Sequence, residues 1–213
     1  MPQFITDALI LRTYKLGESD RIVVFLTRDR GKKRGVAKNA RQSRRRFGGA
    51  LEPLTCGRIS YVERERRDLV RLEYVEPQRS PLSAADGEAL GYASYFAELI
   101  DEWAQEADPN EPLFRLGAST VDAMAAGVPI EPLARYFEFW LLRLQGVFAI
   151  DPRLSAEARA FLATARELSP FALADVVVSR RALRELEASH RALIVSHLER
   201  ELKSSRVLRE MRR

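Results

Sequence analysis

The rhythm of apolar and polar positions changes once along the chain, near residue 80. Before that point apolar and polar residues partly alternate, as on a pleated strand. Residues 4–16 (FITDALILRTYKL) predict a first strand, and Gly17-Glu18-Ser19-Asp20 a turn. Residues 21–27 (RIVVFLT) predict a second strand, apolar enough to be central. Asp29-Arg30-Gly31 turns the chain into a third strand over residues 32–39, and a loop over 40–49 follows. Residues 50–62 predict a fourth strand, bent at Pro53 or Gly57. A charged turn over 63–68 leads into a fifth strand that carries Leu69, Val70, Leu72 and Tyr74 and closes at Pro77. Five strands with a long loop between the third and fourth fit a small closed barrel such as the OB-fold, though other five-stranded barrels satisfy the same pattern. Barrels of this kind offer their second and third strands as a nucleic-acid platform.

Pro77-Gln78-Arg79-Ser80-Pro81 marks the boundary, and the period after it is helical. Ser83-Ala84-Ala85-Asp86 resembles a capping box, opening a helix to about residue 107 in which Leu90, Phe96, Leu99, Ile100 and Trp103 recur on one face. Further helices are expected over 113–126, 131–147, 155–168 and 179–202, with a short one beginning at Ser169-Pro170 and a final piece reaching 213. The 131–147 helix is apolar nearly all round, which predicts a place at the centre of a bundle. The expected fold is therefore α+β and multidomain: an OB-fold barrel over 1–79 followed by an all-α helical bundle over 80–213.

Composition sharpens this picture. The 46% hydrophobic fraction of the 213 residues is enough for a sizeable core. No apolar stretch resembles a signal peptide or reaches the ~18–20 residues that span a bilayer. A soluble, cytoplasmic, nucleoid-associated protein is the expectation. The net charge of +5 is unevenly spread, with an excess of basic residues in 1–79, of acidic residues in 80–178 and of basic residues again in 179–213. A basic head and tail around an acidic middle suggest a polyanion met on particular faces.

The densest charge lies between Arg28 and Gly49. Ten of these residues are basic (Arg28, Arg30, Lys32, Lys33, Arg34, Lys38, Arg41, Arg44, Arg45, Arg46) and only Asp29 is acidic. At such density the cations are expected to face water or phosphate. Phe47 has two readings, a base-stacking side chain or an anchor in the barrel core. Lys203 and Arg206 also have two, a second DNA contact or a complement to a helix C-terminus.

Signs of catalysis are poor. His190 and His197 are seven residues apart on one expected helix, about 10 Å, too far to share a metal. Cys56, the single cysteine, excludes an internal disulfide and a cysteine-rich zinc site, and reads as a small core residue. Asp7, Asp20 and Asp29 lack the companions of a nuclease site. Neither a dinucleotide-binding glycine motif nor a Walker-type phosphate loop is present.

Five segments together carry a family resemblance: Gly17-Glu18-Ser19-Asp20-Arg21, Thr27-Arg28-Asp29-Arg30-Gly31-Lys32, Gly35-Val36-Ala37-Lys38, Arg46-Phe47-Gly48-Gly49-Ala50-Leu51-Glu52-Pro53 and Leu202-Lys203-Ser204-Ser205-Arg206. The chain resembles the RecO family of bacterial recombination mediators over nearly its whole length. The resemblance implies an OB-fold and a helical domain, binding of single- and double-stranded DNA, and annealing of complementary strands. It further implies cooperation with RecR in loading RecA, contact with the acidic C-terminal tail of the single-strand-binding protein SSB, no cofactor and no catalytic site. On this view DNA meets Arg21, Arg28, Arg30, Lys32, Lys33, Arg34, Lys38, Arg41, Arg44, Arg45, Arg46, Lys203 and Arg206. Arg115, Arg135 and Arg143, scarce cations in the acidic middle, are the expected rim of the SSB-tail pocket. Many family members carry a four-cysteine zinc module after the helix that here ends near Leu144-Gln145-Gly146, whereas this chain continues through residues 147–155 without cysteine.

Two other classes stay open on sequence: an OB-fold RNA- or ribosome-binding module, and a divalent-metal nuclease. With one cysteine and two distant histidines, no structural zinc is expected. Chelator should leave the thermal melt unchanged, and stoichiometric zinc in the purified protein would contradict this.

Overall fold

The computed structural model of the chain describes residues 2–63, 68–81 and 87–211. The charged turn over 64–67, the capping-box residues Ser83–Asp86 and the terminal Arg212 and Arg213 lie outside the described residues.

Five strands, β1 (Gln3–Leu16), β2 (Asp20–Thr27), β3 (Gly31–Ala37), β4 (Cys56–Val62) and β5 (Val70–Arg79), close into a barrel in the order β1-β2-β3-β5-β4. All neighbours are antiparallel except β3 and β5. This order, with a short helix α1 (Arg44–Phe47) between β3 and β4, is the OB-fold expected from the strand pattern. The fourth strand starts later than its residue types suggested. Residues 50–55 form turns, because Leu54 adopts a left-handed backbone and the stretch bonds back to Ile10 through Leu54 N–H and Thr55 C=O.

The barrel has an inside and an outside, and both are apolar over part of their area. Ile10, Val23, Phe25, Ala37, Ile59, Tyr61 and Leu72 fill the interior, with Phe47 and Leu51 closing one end. Leu9, Leu11, Val24 and Leu26 of β1 and β2, with Leu54 and Cys56, point outward into a second core that they share with the helices. The helical region is α2 (Gly87–Trp103), α3 (Glu111–Ala125), α4 (Ile130–Leu144), α5 (Ala156–Glu167), a 3-10 helix (Pro170–Asp175), α6 (Arg180–Leu198) and α7 (Lys203–Met211). As its pattern predicts, α4 is buried along most of its length. Gly117 of α3 permits close contact with the barrel, since a Cβ there would stand 2.6 Å from Leu9 Cδ1 and 2.8 Å from Ile100 Cδ1.

The seam between barrel and helices is also a backbone interaction. β5 pairs with β3 only over Gly35–Ala37, which leaves the start of β3 as a free edge. Residues 105–107, just after α2, cover it: Lys32 N–H donates to Gln105 C=O at 3.2 Å and Ala107 N–H donates to Lys32 C=O at 3.0 Å. Covering removes an edge that would otherwise invite pairing with another chain.

Glu98 of α2 ties three elements together. It accepts from the N–H groups of Lys203 (3.2 Å) and Ser204 (2.8 Å) and from the Ser204 hydroxyl, so it caps α7, and it lies 4.0 Å from Arg12 of β1. Burial raises the carboxyl, but the Ser204 and Lys203 donors and Arg12 together outweigh it, and the pKa falls below the ordinary glutamate value. A depressed pKa stabilises the fold above the unfolded-state value, and that stabilisation disappears as pH falls through the folded-state value. Glu98→Gln should therefore lower the melting temperature at pH 7, and the gap from the parent should narrow below about pH 4. A gap that stays constant across that range in melts followed by circular dichroism would contradict the assignment.

Candidate nucleic-acid interface

The basic run divides in two because β3 runs through its middle, carrying its ends to opposite ends of the barrel. In the first half Arg28 and Lys32 meet the helices, while Arg30 and Lys33 meet residues of the barrel. Lys32 donates to Asp101 C=O at 2.6 Å and to its carboxylate at 3.2 Å, and its side chain is 15% exposed. Arg28 pairs with Glu111 at 3.1 Å. Lys33 pairs with Glu63 at 2.8 Å. Arg30 lies over the Phe4 ring at 3.9 Å, with Asp29 at 3.8 Å. The expectation that all ten cations face water or phosphate is corrected for Lys32 above all. Acids distant in sequence reach this half, so its charge is compensated within the protein.

The second half makes no such ion pairs among the described residues. Lys38, Arg41 and Arg45 are exposed, and none of them makes an ion pair among the described residues. Arg44 lies in α1 beside Arg45 and Arg46. The loop that carries these residues is anchored by polar bonds to the β1–β2 turn. Asn39, in a left-handed backbone, donates its N–H to Asp20 Oδ1 at 2.8 Å. Arg41 donates from its N–H to Ser19 C=O (3.2 Å) and from its guanidinium to Glu18 C=O (2.9 Å). Arg46 donates to Ser43 Oγ at 3.0 Å and Lys38 C=O at 2.8 Å, and sits 5.1 Å from the Phe47 ring centroid. Arg41 and Arg46 thus shape the loop as well as charging it. Arg21, half-buried, lines a depression beside Arg41, Gly48, Gly49 and Glu52. Arg34, exposed on the outer face of β3, has no ion-pair partner among the described residues.

Phe47 is 2% exposed and packs in the barrel core, so the anchor reading holds and the stacking reading falls. Asp20 and Asp29 are engaged in a loop bond and a Thr6 bond at 2.6 Å. Among the described residues no group of three or more acids, histidines or cysteines converges as a metal site. Cys56 is buried, and burial pushes its thiol up to about 11, where thiolate is scarce at neutral pH.

The tail differs from its macrodipole reading. α6 ends at Leu198 and Glu199 turns the chain in a left-handed backbone, so Lys203 opens α7 instead of closing a helix. Neither Lys203 nor Arg206 complements a helix C-terminus, and both are exposed.

Of the three expected rim cations, Arg115 and Arg143 are exposed and Arg135 is not. Arg135 is 3% exposed, 3.2 Å from Glu138, which also accepts from Tyr95 OH at 2.9 Å and bonds His190 Nδ1 at 3.0 Å. Burial works against both charges. Arg135 and His190 hold the Glu138 carboxyl below its ordinary value, and Glu138 with Glu187 raises Arg135. Arg135 is therefore part of a buried polar cluster, at the floor of a small cleft that Glu187, Arg191 and Ser205 also line. No sequence signal separated it from Arg115, because its burial depends on α6 laying His190 against α4. His197 stacks on Trp103 at 5.5 Å.

A closed five-stranded barrel of OB-fold topology, with helices packed on one wall and, among the described residues, loop cations that make no ion pair, is the class that the fold and the patch define. The comparisons with known proteins narrow this class. Residues 1–81 match the family model "Recombination protein O N terminal" and residues 84–150 match "Recombination protein O C terminal". The DNA repair protein RecO of Koribacter versatilis is 43% identical over 142 residues, 66% of this chain and 58% of its own length. That of Anaeromyxobacter sp. strain K is 42% identical over 153 residues, 71% of this chain and 59% of its own. That of Bifidobacterium adolescentis is 35% identical over 156 residues, 72% of this chain and 62% of its own. The chain belongs to the RecO family, and it spans just under three fifths of the length of the first two of these relatives. No helix among the described residues is long and apolar enough to cross a membrane.

Replacing Arg135 with alanine leaves Glu138 buried without its cation, which should cost about 3–5 kcal/mol of unfolding free energy. An Arg135→Ala protein that unfolds in urea at the parent midpoint would return Arg135 to the surface candidates.

Proposed function

We propose that this chain acts in DNA repair and recombination as a non-enzymatic mediator that binds DNA through the barrel end carrying Lys38, Arg41, Arg44, Arg45 and Arg46. The observation that carries the proposal is the unequal pairing of the basic run: its first half meets Asp101, Glu111 and Glu63, and Lys38, Arg41 and Arg45 make no ion pair among the described residues. Uncompensated cations on an anchored loop are what a phosphate backbone requires. Neutralising two strands is also how such a protein would bring complementary strands together, since each backbone repels the other. In this reading the protein anneals strands without nucleotide and, with RecR, helps load RecA on single-stranded DNA covered by SSB. The working division is 1–79 for DNA and 80–213 for partners. The acidic SSB tail would use exposed cations beside apolar surface. Arg143, 5.5 Å from the Phe139 and Trp140 rings and next to the exposed Leu144, suits that role better than Arg115.

With roughly three to six cations meeting phosphate, log affinity should fall with log salt at a slope of roughly −3 to −5. Changing Lys38 and Arg45 together to Glu, which breaks none of the loop's own bonds, should reduce affinity at least tenfold at 50 mM salt and flatten the slope by about two. The measurement is fluorescence anisotropy of a labelled oligonucleotide over a salt series, with a strand-annealing assay beside it. A folded double variant that binds and anneals like the parent would place the DNA elsewhere, with Lys203 and Arg206 the next to test. Competition with a matched RNA strand separates the DNA reading from an RNA-binding one.

A further inference from the structure

The end of the barrel beside the 38–46 loop holds a depression of about 220 Å³. Arg21 lines it from the start of β2, Arg41 from the loop, and Gly49 and Glu52 from the stretch that follows α1. Phe47 and Leu51 form its apolar side, and both are buried in the core that closes this end of the barrel. Gly49 has a left-handed backbone, and a Cβ built on it would meet nothing within 4 Å, so its part of the wall is open backbone. The volume falls below the ~300 Å³ at which pockets for drug-sized ligands begin, and is on the scale of one nucleobase.

Glu52 is the unusual member of this set. It is an exposed acid beside a cationic loop, yet among the described residues it makes no ion pair with Arg21 or Arg41, which line the same depression. Their hydrogen bonds lie elsewhere. Arg21 donates to Thr13 Oγ1 at 3.4 Å, and Arg41 donates to Glu18 C=O at 2.9 Å. A carboxylate only accepts hydrogen bonds and a guanidinium only donates them. The depression therefore presents an acceptor and donors that leave one another unsatisfied. An acid at this place lowers the local positive potential and works against phosphate binding, so its chemistry suits a contact with a base.

We infer that this depression is a pocket for one unpaired base, and that the base is guanine. The inference rests on the DNA-binding reading of the loop and deepens it. Guanine carries two acceptors, N7 and O6, on one edge and two donors, N1–H and the N2 amine, on the next. A guanidinium matches the first edge and the Glu52 carboxylate the second, each through two hydrogen bonds. The other bases match only in part. Adenine sets an amine donor beside its N7, thymine has one ring N–H, and cytosine has one amine beside acceptors. The donor edge of guanine is free only outside a duplex, because pairing uses it within one, so the occupant comes from single-stranded DNA. Phosphate contacts from the loop carry no sequence information, and the pocket adds it at one position of the strand.

The test uses three labelled strands: oligo-dT, the same strand with one central guanine, and the same strand with hypoxanthine there, which lacks the N2 amine. The parent and Glu52→Ala are compared by fluorescence anisotropy over one salt series. The parent should bind the guanine strand roughly 5- to 150-fold more tightly than oligo-dT, the span of one bidentate base contact, and hypoxanthine should forfeit most of that gain. Glu52→Ala should lose the preference while binding oligo-dT at least as tightly as the parent, since it removes an acid from a cationic patch. Its melting temperature should match the parent's, because the side chain is exposed. Equal affinity of the parent for guanine and thymine strands, or a preference that survives Glu52→Ala, would overturn the pocket while leaving the loop as the DNA site. A parent protein that binds none of the three strands in a salt-dependent way would overturn both readings.

Discussion

The structure depends on one seam, where the acidic face of α2 meets the outer wall of the barrel. Asp101 stands at its centre, 3.2 Å from Arg12 of β1 and 3.2 Å from Lys32 of β3, with Glu98 and Glu102 beside it. Around these ion pairs the seam is apolar, because Leu9, Val24, Leu26 and Cys56 share one core with Ile100 and Leu113. The charges are fixed by that surrounding burial and by backbone bonds from residues 105–107 to Lys32. Removing one partner would strand another in a partly buried place, so the cost of breaking the seam exceeds the worth of any one exposed ion pair.

The seam also sets where a polyanion can go. A chain with a basic head and an acidic middle would fold back on itself if the two met without restriction. Here β3 divides the basic head: its first residues lie against α2 and its last residues feed a loop at the far end of the barrel, where Lys38, Arg41 and Arg45 make no ion pair among the described residues. Asp101 and Glu111 of the helices, with Glu63 at the end of β4, thus compensate much of the first half of the basic run and leave the other half to concentrate positive potential. The same geometry leaves Tyr14 and Leu16, at the end of β1, exposed. Membership of the RecO family rests on the sequence matches alone, and the DNA contact we propose rests on this arrangement.

Much of the fold was legible in the residues. Alternation around Val23 and Phe25, the turn glycines and the aromatic spacing of 92–103 each report a local preference that the tertiary structure preserves. The start of β4 was misplaced because residues 50–55 are apolar for a different reason: Ala50, Leu51 and Leu54 plug and pad the barrel as loop residues. The candidate site was legible as a charge density but not as a site. Nothing local in Arg-Gly-Lys-Lys-Arg says that Lys32 will meet Asp101, 69 residues away. Arg135 and Phe47 were ambiguous for the same reason, since burial is decided by what packs on them from afar.

Site-resolved hydrogen exchange of the full chain, with and without saturating oligo-dT, tests the central claim most directly. The account predicts slowed exchange over the β1–β2 turn and over residues 34–49, with little change over 28–32 and along α3. Protection centred on residues 28–32 or α3, with the 38–46 loop unchanged, would contradict it.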